Sequence, residues 1–197
     1  MTEVQINDIF WTFQGEGAHA GRRALFVRMP KCNLKCSWCD TEFDSSQTWH
    51  SDAFNEMATR EDARFAVLTG GEPLMNKELP QVIQWLTDLG FYKAVETNGT
   101  MPWVPGIDWV TCSPKRDAAY KIHRGLKQHV NEYKYVVDDG FDFKLLSRHN
   151  DEESSVQLSL SPEFNTFREN LNRIYSFIAA NPRWRISLQT HKWMDIP

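Results

Sequence analysis

The chain has 197 residues, with 22 basic and 26 acidic side chains and a formal net charge of -4. It is long enough to bury one substantial core, which sets a single domain over residues 1–197, and it lacks the basic footprint of a nucleic-acid binder. No stretch approaches the ~20 apolar residues of a membrane span, and the opening MTEVQINDIF has neither the basic head nor the apolar run of a signal peptide. A cytoplasmic protein acting on a small molecule, with no nucleic-acid or membrane partner, is expected.

Apolar, β-branched runs recur along the chain at 23–29 (RALFVRM), 64–69 (RFAVLT), 92–97 (YKAVET), 108–112 (DWVTC), 132–137 (EYKYVV), 156–160 (VQLSL) and 184–189 (WRISLQ). These read as strands. After the second run, Asn76 suits a helix cap, Leu79, Val82, Ile83, Leu86 and Leu89 share one face, and Gly90 is placed to end the helix. Phe167, Leu171, Ile174, Tyr175 and Ile178 repeat at helical spacing before Asn181-Pro182 stops the run. Strands alternating with helices imply parallel pairing and an α/β class. The connections 98–107, 113–131 and 138–155 are too short or irregular for full helices, and 42–63 reads as short, irregular and without a helix. The expectation is a partial, open (β/α) barrel of about six parallel strands with a reduced set of helices.

Unusual polar segments follow the strand ends. Cys32 to Cys39 comes after the first run, Gly70-Gly71-Glu72-Pro73 after the second, and Glu96-Thr97-Asn98 closes the third. Ser113-Pro114-Lys115, Ser161-Pro162 and Gln189-Thr190-His191-Lys192 repeat the arrangement later. In a parallel barrel the carboxyl ends of the strands share one rim, so a single site can collect these segments.

Cys32, Cys36 and Cys39 place three thiolates in one short loop. Thiolates are the ligands of iron-sulfur clusters, and three of them leave one iron open to a substrate or cofactor. A structural zinc site completed by histidine, or three unrelated thiols, are the alternatives, but no second ligand pair of the usual zinc spacing is present. Cys112 stands apart and reads as a small buried apolar residue.

The Cys-x-x-x-Cys-x-x-Cys spacing, Trp38 before the last cysteine and Gly70-Gly71-Glu72-Pro73 resemble the radical S-adenosylmethionine superfamily. The segments Thr12-Phe13-Gln14-Gly15-Glu16-Gly17, Phe26-Val27-Arg28, Cys39-Asp40-Thr41, Glu96-Thr97-Asn98-Gly99-Thr100 and Leu188 through Pro197 resemble, within it, the 7-carboxy-7-deazaguanine synthase family. That resemblance implies a radical ring contraction of 6-carboxy-5,6,7,8-tetrahydropterin to 7-carboxy-7-deazaguanine with loss of ammonia, in queuosine and 7-deazapurine biosynthesis. It also implies a 4Fe-4S cluster on Cys32, Cys36 and Cys39, S-adenosylmethionine, and a magnesium ion at Thr41 with Asp40 nearby. A flavodoxin- or ferredoxin-like electron donor and a homodimer are implied as well.

For the cofactor, the resemblance points to Gly71, Glu72, Ser113, Pro114, Lys115, Ser161 and Pro162, though the family pattern often has Gln-Pro where this chain has Ser161-Pro162. For the pterin it points to Phe13, Gln14, Gly15, Glu16, Arg28, Thr69, Glu96 and Pro197. The chemistry agrees: the Arg28 fork suits a carboxylate, Glu16 and Glu96 suit amino and ring N–H groups, and Phe13 suits stacking on a ring. A glycyl-radical-enzyme activase of the same superfamily, or a non-catalytic zinc or iron-sulfur module, are the rival readings.

Overall fold

The computed structural model describes residues 2–39, 41–150 and 152–197. The chain begins with β1 (Glu3–Ile6), β2 (Asp8–Phe13), β3 (Arg23–Met29), β4 (Gln47–His50) and α1 (Ser51–Ala58). There follow β5 (Phe65–Gly70), α2 (Leu79–Asp88), β6 (Tyr92–Thr97), β7 (Trp109–Cys112) and α3 (Arg124–Lys127). The remainder comprises β8 (Glu132–Val137), β9 (Gln157–Pro162), α4 (Phe167–Ala180), β10 (Trp184–Ile186) and α5 (Thr190–Met194).

Eight strands form one sheet in the order β10-β9-β8-β7-β6-β5-β3-β2, while β1 and β4 pair separately. All neighbours in the large sheet are parallel except β2 with β3. The α/β class therefore holds. All seven apolar runs enter the parallel sheet, against the expected six or so, and β2 adds an antiparallel edge.

Three local readings change. The segment 42–63 carries β4 and α1 instead of being helix-free, because Phe54 and Ala58 share a helical face and are fully buried. The cap of α2 falls on Glu78, and Asn76 sits two residues earlier with its Oδ1 accepting from the Glu78 amide at 2.9 Å. The final run ends at Ile186, where the amide of Ser187 still donates to Leu160 before the chain turns away.

The strands have two chemically different faces, as the pleat requires. Leu25, Val27, Met29, Ala66, Leu68, Val95, Val110, Cys112, Tyr133, Tyr135, Leu158 and Leu160 share one face and the main core with Phe54 of α1, Leu79 and Leu86 of α2 and Ile174 of α4. The alternate positions on the other face begin with a small apolar cluster of Ala24, Phe65, Val67 and Ala94, backed by Phe26 and Trp109. Beyond it they turn polar: Thr111, Glu132, Lys134, Ser159 and Ser161 are all buried. Such a face needs internal partners, since a buried polar group left unpaired costs about 1–3 kcal/mol.

On the apolar side, a 3-10 helix over Phe143–His149 seats His149 beside Tyr133, its Nε2 2.8 Å from the Tyr135 hydroxyl and its Nδ1 3.3 Å from Glu152. Burial, reinforced by Arg148, Lys127 and Arg183, holds the imidazole down at about 4, against 6.5 when free. The unfolded chain therefore takes up this proton first. Its contribution is intact above pH 6.5 and is lost as the pH falls toward 4, by of order 2 kcal/mol. Urea unfolding at pH 7 and pH 5 should show that loss in the wild type and a smaller one in His149→Gln; equal losses would refute it.

Candidate active site

The loop that follows β3 turns at Lys31, which has a φ of 67°. Its three cysteines are free thiols, Cys32 and Cys36 half-buried and Cys39 exposed. All three line one cavity of about 460 Å³. The Leu34 amide donates to Cys32 Sγ at 3.4 Å, and the Cys39 amide donates to the Cys36 carbonyl at 3.1 Å. Burial pushes the Cys32 thiol up, and it pushes Cys36 up to about 11 against the pull of Lys115. Among the described residues no three His, Cys, Asp or Glu side chains form a cage for a single metal ion. The donor set is sulfur alone, the set that iron-sulfur clusters take.

The Gly70-Gly71-Glu72-Pro73 turn holds this loop in place. The Gly71 amide donates to Met29 and the Glu72 amide to Lys31. A Cβ on Gly71 would lie 1.8 Å from the Lys31 carbonyl oxygen and 2.9 Å from the Cys32 nitrogen. Only glycine permits that approach. Glu72 is fully buried behind the cavity and does not line it. Its carboxylate accepts from the Leu74 amide, the Thr97 hydroxyl and the Asn98 amide at 2.7–3.0 Å. Asn98 in turn donates to Asn33 of the cysteine loop. Lys115 lies 4.8 Å over the Trp38 ring and donates to Ser113 Oγ at 2.7 Å. Ser113 and Lys115 line the cavity; the intervening Pro114, and Ser161 and Pro162 at the end of β9, are buried and do not.

The opposite side of the cavity is built from the other end of the sheet, beyond the rim where sequence expectation gathers the site. At the end of β2, Phe13 pairs with Arg23, the first residue of β3. From there the chain passes under the amino-terminal ends of the strands. Ala18 donates to Glu132, first in β8, at 2.9 Å, and the His19 ring packs 4.9 Å from Phe65 and 4.7 Å from Trp109, first in β5 and β7. Gly17, at a φ of +65°, lets Glu132 approach where a Cβ would sit 2.7 Å from its oxygen. Residues 14–19 thus form a floor.

On that floor Glu16 reaches Lys134 Nζ at 2.7 Å, and Glu96 reaches the same ammonium from β6 at 2.9 Å. Gln189 donates to Glu16 at 2.9 Å, Gln14 donates to Glu96 at 3.1 Å, and the Glu16 amide donates back to Gln14 Oε1. Burial would raise the Glu16 carboxyl, but Lys134, Gln189 and His191 outweigh it and hold it down at about 2. Burial wins at Glu96, helped by the charges of Glu16 and Glu132, and pushes it up to about 7. One buried pair of carboxylates is thereby split into a fixed anion and a group that titrates near neutrality.

The remaining candidates line the same cavity: Phe13, Gly15, Arg28, Thr69, Thr41 and Pro197. Arg28 and Thr69 are register partners on β3 and β5, so they face it side by side. Arg28 also lies 4.7 Å over the Phe10 ring. A main-chain oxygen of Pro197 accepts from the Thr12 hydroxyl at 3.0 Å, which fixes that residue over the cavity. Asp40 lies outside the described residues.

Sequence reasoning missed Lys134, and passed over Gln189 and His191 although their segment stood out. The sign was available in Glu132-Tyr-Lys134-Tyr: two charges alternate with two aromatics, which puts both charges on one face of the strand.

No family model matches the chain. It is 37% identical over 192 residues to a 7-carboxy-7-deazaguanine synthase of Bacteroides thetaiotaomicron, with 98% of each chain covered. A 7-carboxy-7-deazaguanine synthase of Burkholderia multivorans is 34% identical over 215 residues, again with 98% of each covered. Among solved structures, QueE from Escherichia coli matches with a TM-score of 0.79 at 27% identity, over 94% of this chain and 93% of that one.

The close contact at Gly71 is open to test. Gly71→Ala should lower the denaturant midpoint by the equivalent of about 1–3 kcal/mol, the usual cost of overpacking. Gly125→Ala, whose added methyl meets nothing nearer than 3.4 Å, should leave it within about 0.5 kcal/mol. Equal midpoints in the two variants would refute the contact.

Proposed function

The chain belongs to the 7-carboxy-7-deazaguanine synthase family, and we propose that it performs the family's ring contraction as a radical S-adenosylmethionine lyase. The substrate is 6-carboxy-5,6,7,8-tetrahydropterin, and the products are 7-carboxy-7-deazaguanine and ammonia, in queuosine and 7-deazapurine biosynthesis. One observation carries the reading: a single cavity of about 460 Å³ is lined by three thiols together with an arginine and two carboxylates joined through a lysine. Neither a glycyl-radical activase nor a non-catalytic module accounts for the arginine and the lysine-linked carboxylates in that lining, and the relatives bear the synthase name.

Cys32, Cys36 and Cys39 would hold a 4Fe-4S cluster, Gly71, Ser113 and Lys115 would meet S-adenosylmethionine, and Thr41 would take magnesium, which accepts a hydroxyl among waters. When bound, the cluster supplies one electron and, with S-adenosylmethionine, the hydrogen-abstracting radical. Glu72 serves this side by bracing the turn and the Asn98 segment from behind. Ser161 and Pro162, buried beyond the cavity wall, would act on the cofactor only through the backbone of β9. Arg28 binds the pterin carboxylate with its guanidinium fork, and Thr69 beside it offers a hydroxyl. Glu16 and Glu96 accept from the amino and ring N–H groups, and Gln14 offers both a donor and an acceptor. Phe13 covers a face of the ring, Gly15 leaves room for it, and Pro197 closes the cavity with an acceptor. These side chains hold the reacting carbon in one orientation, which is what the protein adds to radical chemistry.

The whole chain acts as one domain whose sheet curls into an open barrel. In support, the floor after β2 bonds to the far edge: Thr190 donates to Gly15 at 3.0 Å and Gly17 donates to Ser187 at 2.8 Å. The outermost strands β2 and β10 of the large sheet suit a homodimer. The exposed Lys31 and Lys35 beside the cysteines suit an acidic flavodoxin- or ferredoxin-like donor. Free cysteines suit the reducing cytoplasm. Among the described residues no helix is long and apolar enough to cross a membrane.

The test is anaerobic reconstitution with iron and sulfide, then incubation with dithionite, S-adenosylmethionine, magnesium and the pterin, with products read by mass spectrometry. 7-Carboxy-7-deazaguanine should form in the wild type and be absent in Cys36→Ala. Deoxyadenosine without that product would overturn the substrate, and bound zinc with no cluster would overturn the cofactor. Arg28→Ala should raise KM for the pterin by about 10- to 100-fold, the loss of a charged hydrogen bond, while sparing cluster assembly.

A further inference from the structure

We infer that Lys134 is the positioning residue for recognition of the ligand's N–H edge: its ammonium clamps Glu16 and Glu96 so that both face the cavity as acceptors. The inference rests on the proposed function for the ligand's identity, and on the structure for the clamp.

Each carboxylate gives one oxygen to Lys134 and the other to a side-chain amide, Gln189 for Glu16 and Gln14 for Glu96. Gln14 closes the ring by accepting from the Glu16 amide at 3.1 Å. Every carboxylate oxygen so engaged keeps a further lone pair for a ligand donor. The Lys134 side chain is 5% exposed, so little water screens the arrangement. The other charged groups facing it are accounted for. Glu132 stands below on the same strand face, with its oxygens taken by the Ala18 amide and the Ser159 hydroxyl at 2.9 and 2.6 Å. Lys115 interacts with Lys134, Glu16 and Glu96 from the β7 side, and His191 interacts with Glu16.

Two carboxylates sharing one buried cation cannot both stay ionised once it is removed. The one that takes a proton turns from acceptor to donor and then opposes the ligand's own N–H groups. The elevated titration of Glu96 means that this pair is already near that limit with Lys134 present. Lys134 thus governs recognition through its two partners.

The experiment compares the pH profile of kcat/KM for the pterin in wild type, Lys134→Arg, Lys134→Gln and Glu96→Gln, each with its cluster reconstituted. In the wild type kcat/KM should fall as the pH drops through about 7, as Glu96 protonates. Lys134→Gln should move this acid limb up by at least about one pH unit and raise KM about tenfold or more, with kcat less affected. Lys134→Arg, which keeps the charge, should hold the limb near its wild-type position. Glu96→Gln should abolish the limb; it decides the matter should Lys134→Gln not accumulate as folded protein. An unmoved limb and KM in Lys134→Gln, an arginine variant as damaged as the glutamine one, or a limb that survives Glu96→Gln would each overturn the role of Lys134. A wild type that forms no 7-carboxy-7-deazaguanine overturns the proposed function instead, and is recognised before any variant is made.

Discussion

The longer helices α1, α2 and α4 all pack on one face of the parallel sheet, and the rest of the molecule follows from that asymmetry. Parallel sheets are ordinarily buried on both sides, with apolar residues in near-continuous runs. Here Tyr133, Tyr135, Leu158 and Leu160 pack into the helical core, while Lys134, Ser159 and Ser161 turn the other way. With a side-chain period of two, a one-residue slip would drive Lys134 and Glu132 into the apolar layer and lift both tyrosines out of it. Register and site are set by the same alternation. The short connection from β7 to β8, with only the brief α3, and the 3-10 helix after β8 suffice because aromatic side chains fill the space above the sheet. His149, Phe141 and Trp184 close around Tyr135 there.

The polar face must then satisfy itself. Its lower part does so with the floor segment, whose Ala18 amide is received by Glu132 and whose His19 lies among Phe65, Tyr92 and Trp109. Its middle does so by charge. Burying carboxylates and an ammonium is costly unless each is paired and hydrogen-bonded, and a ring in which every member has a partner is the arrangement that avoids the cost. Such a ring adds little to stability compared with an apolar filling of the same volume. What it supplies is carboxylate oxygens held in fixed positions in the cavity wall.

The upper part depends on backbone contact. The absence of a side chain at Gly71 lets two main-chain segments touch, and Glu72 then ties the same turn to the end of β6 through Thr97 and Asn98. The cysteine loop, an irregular segment with little side-chain burial of its own, is thereby fixed to the most deeply buried strands.

The amino-acid sequence by itself determined the α/β class, the seven apolar runs that became strands and the two long helices, because each rests on a local period of apolar residues, while its count of about six parallel strands fell one short. It also singled out the three cysteines, the double glycine and Glu96, because thiol spacing and unusual polar segments at strand ends are local signals too, whereas Glu16 was reached through the family resemblance. It did not foresee β4 and α1, whose pattern is short, nor β2, whose place is set by pairing with β3. Tertiary structure alone decided that Glu72 faces away from the cavity, that residues 14–19 form its floor, and that Lys134 joins Glu16 to Glu96. These depend on which strands become neighbours and how far a side chain reaches across the sheet. Contacts spanning 38 to 173 residues of chain leave no trace in any short window of sequence.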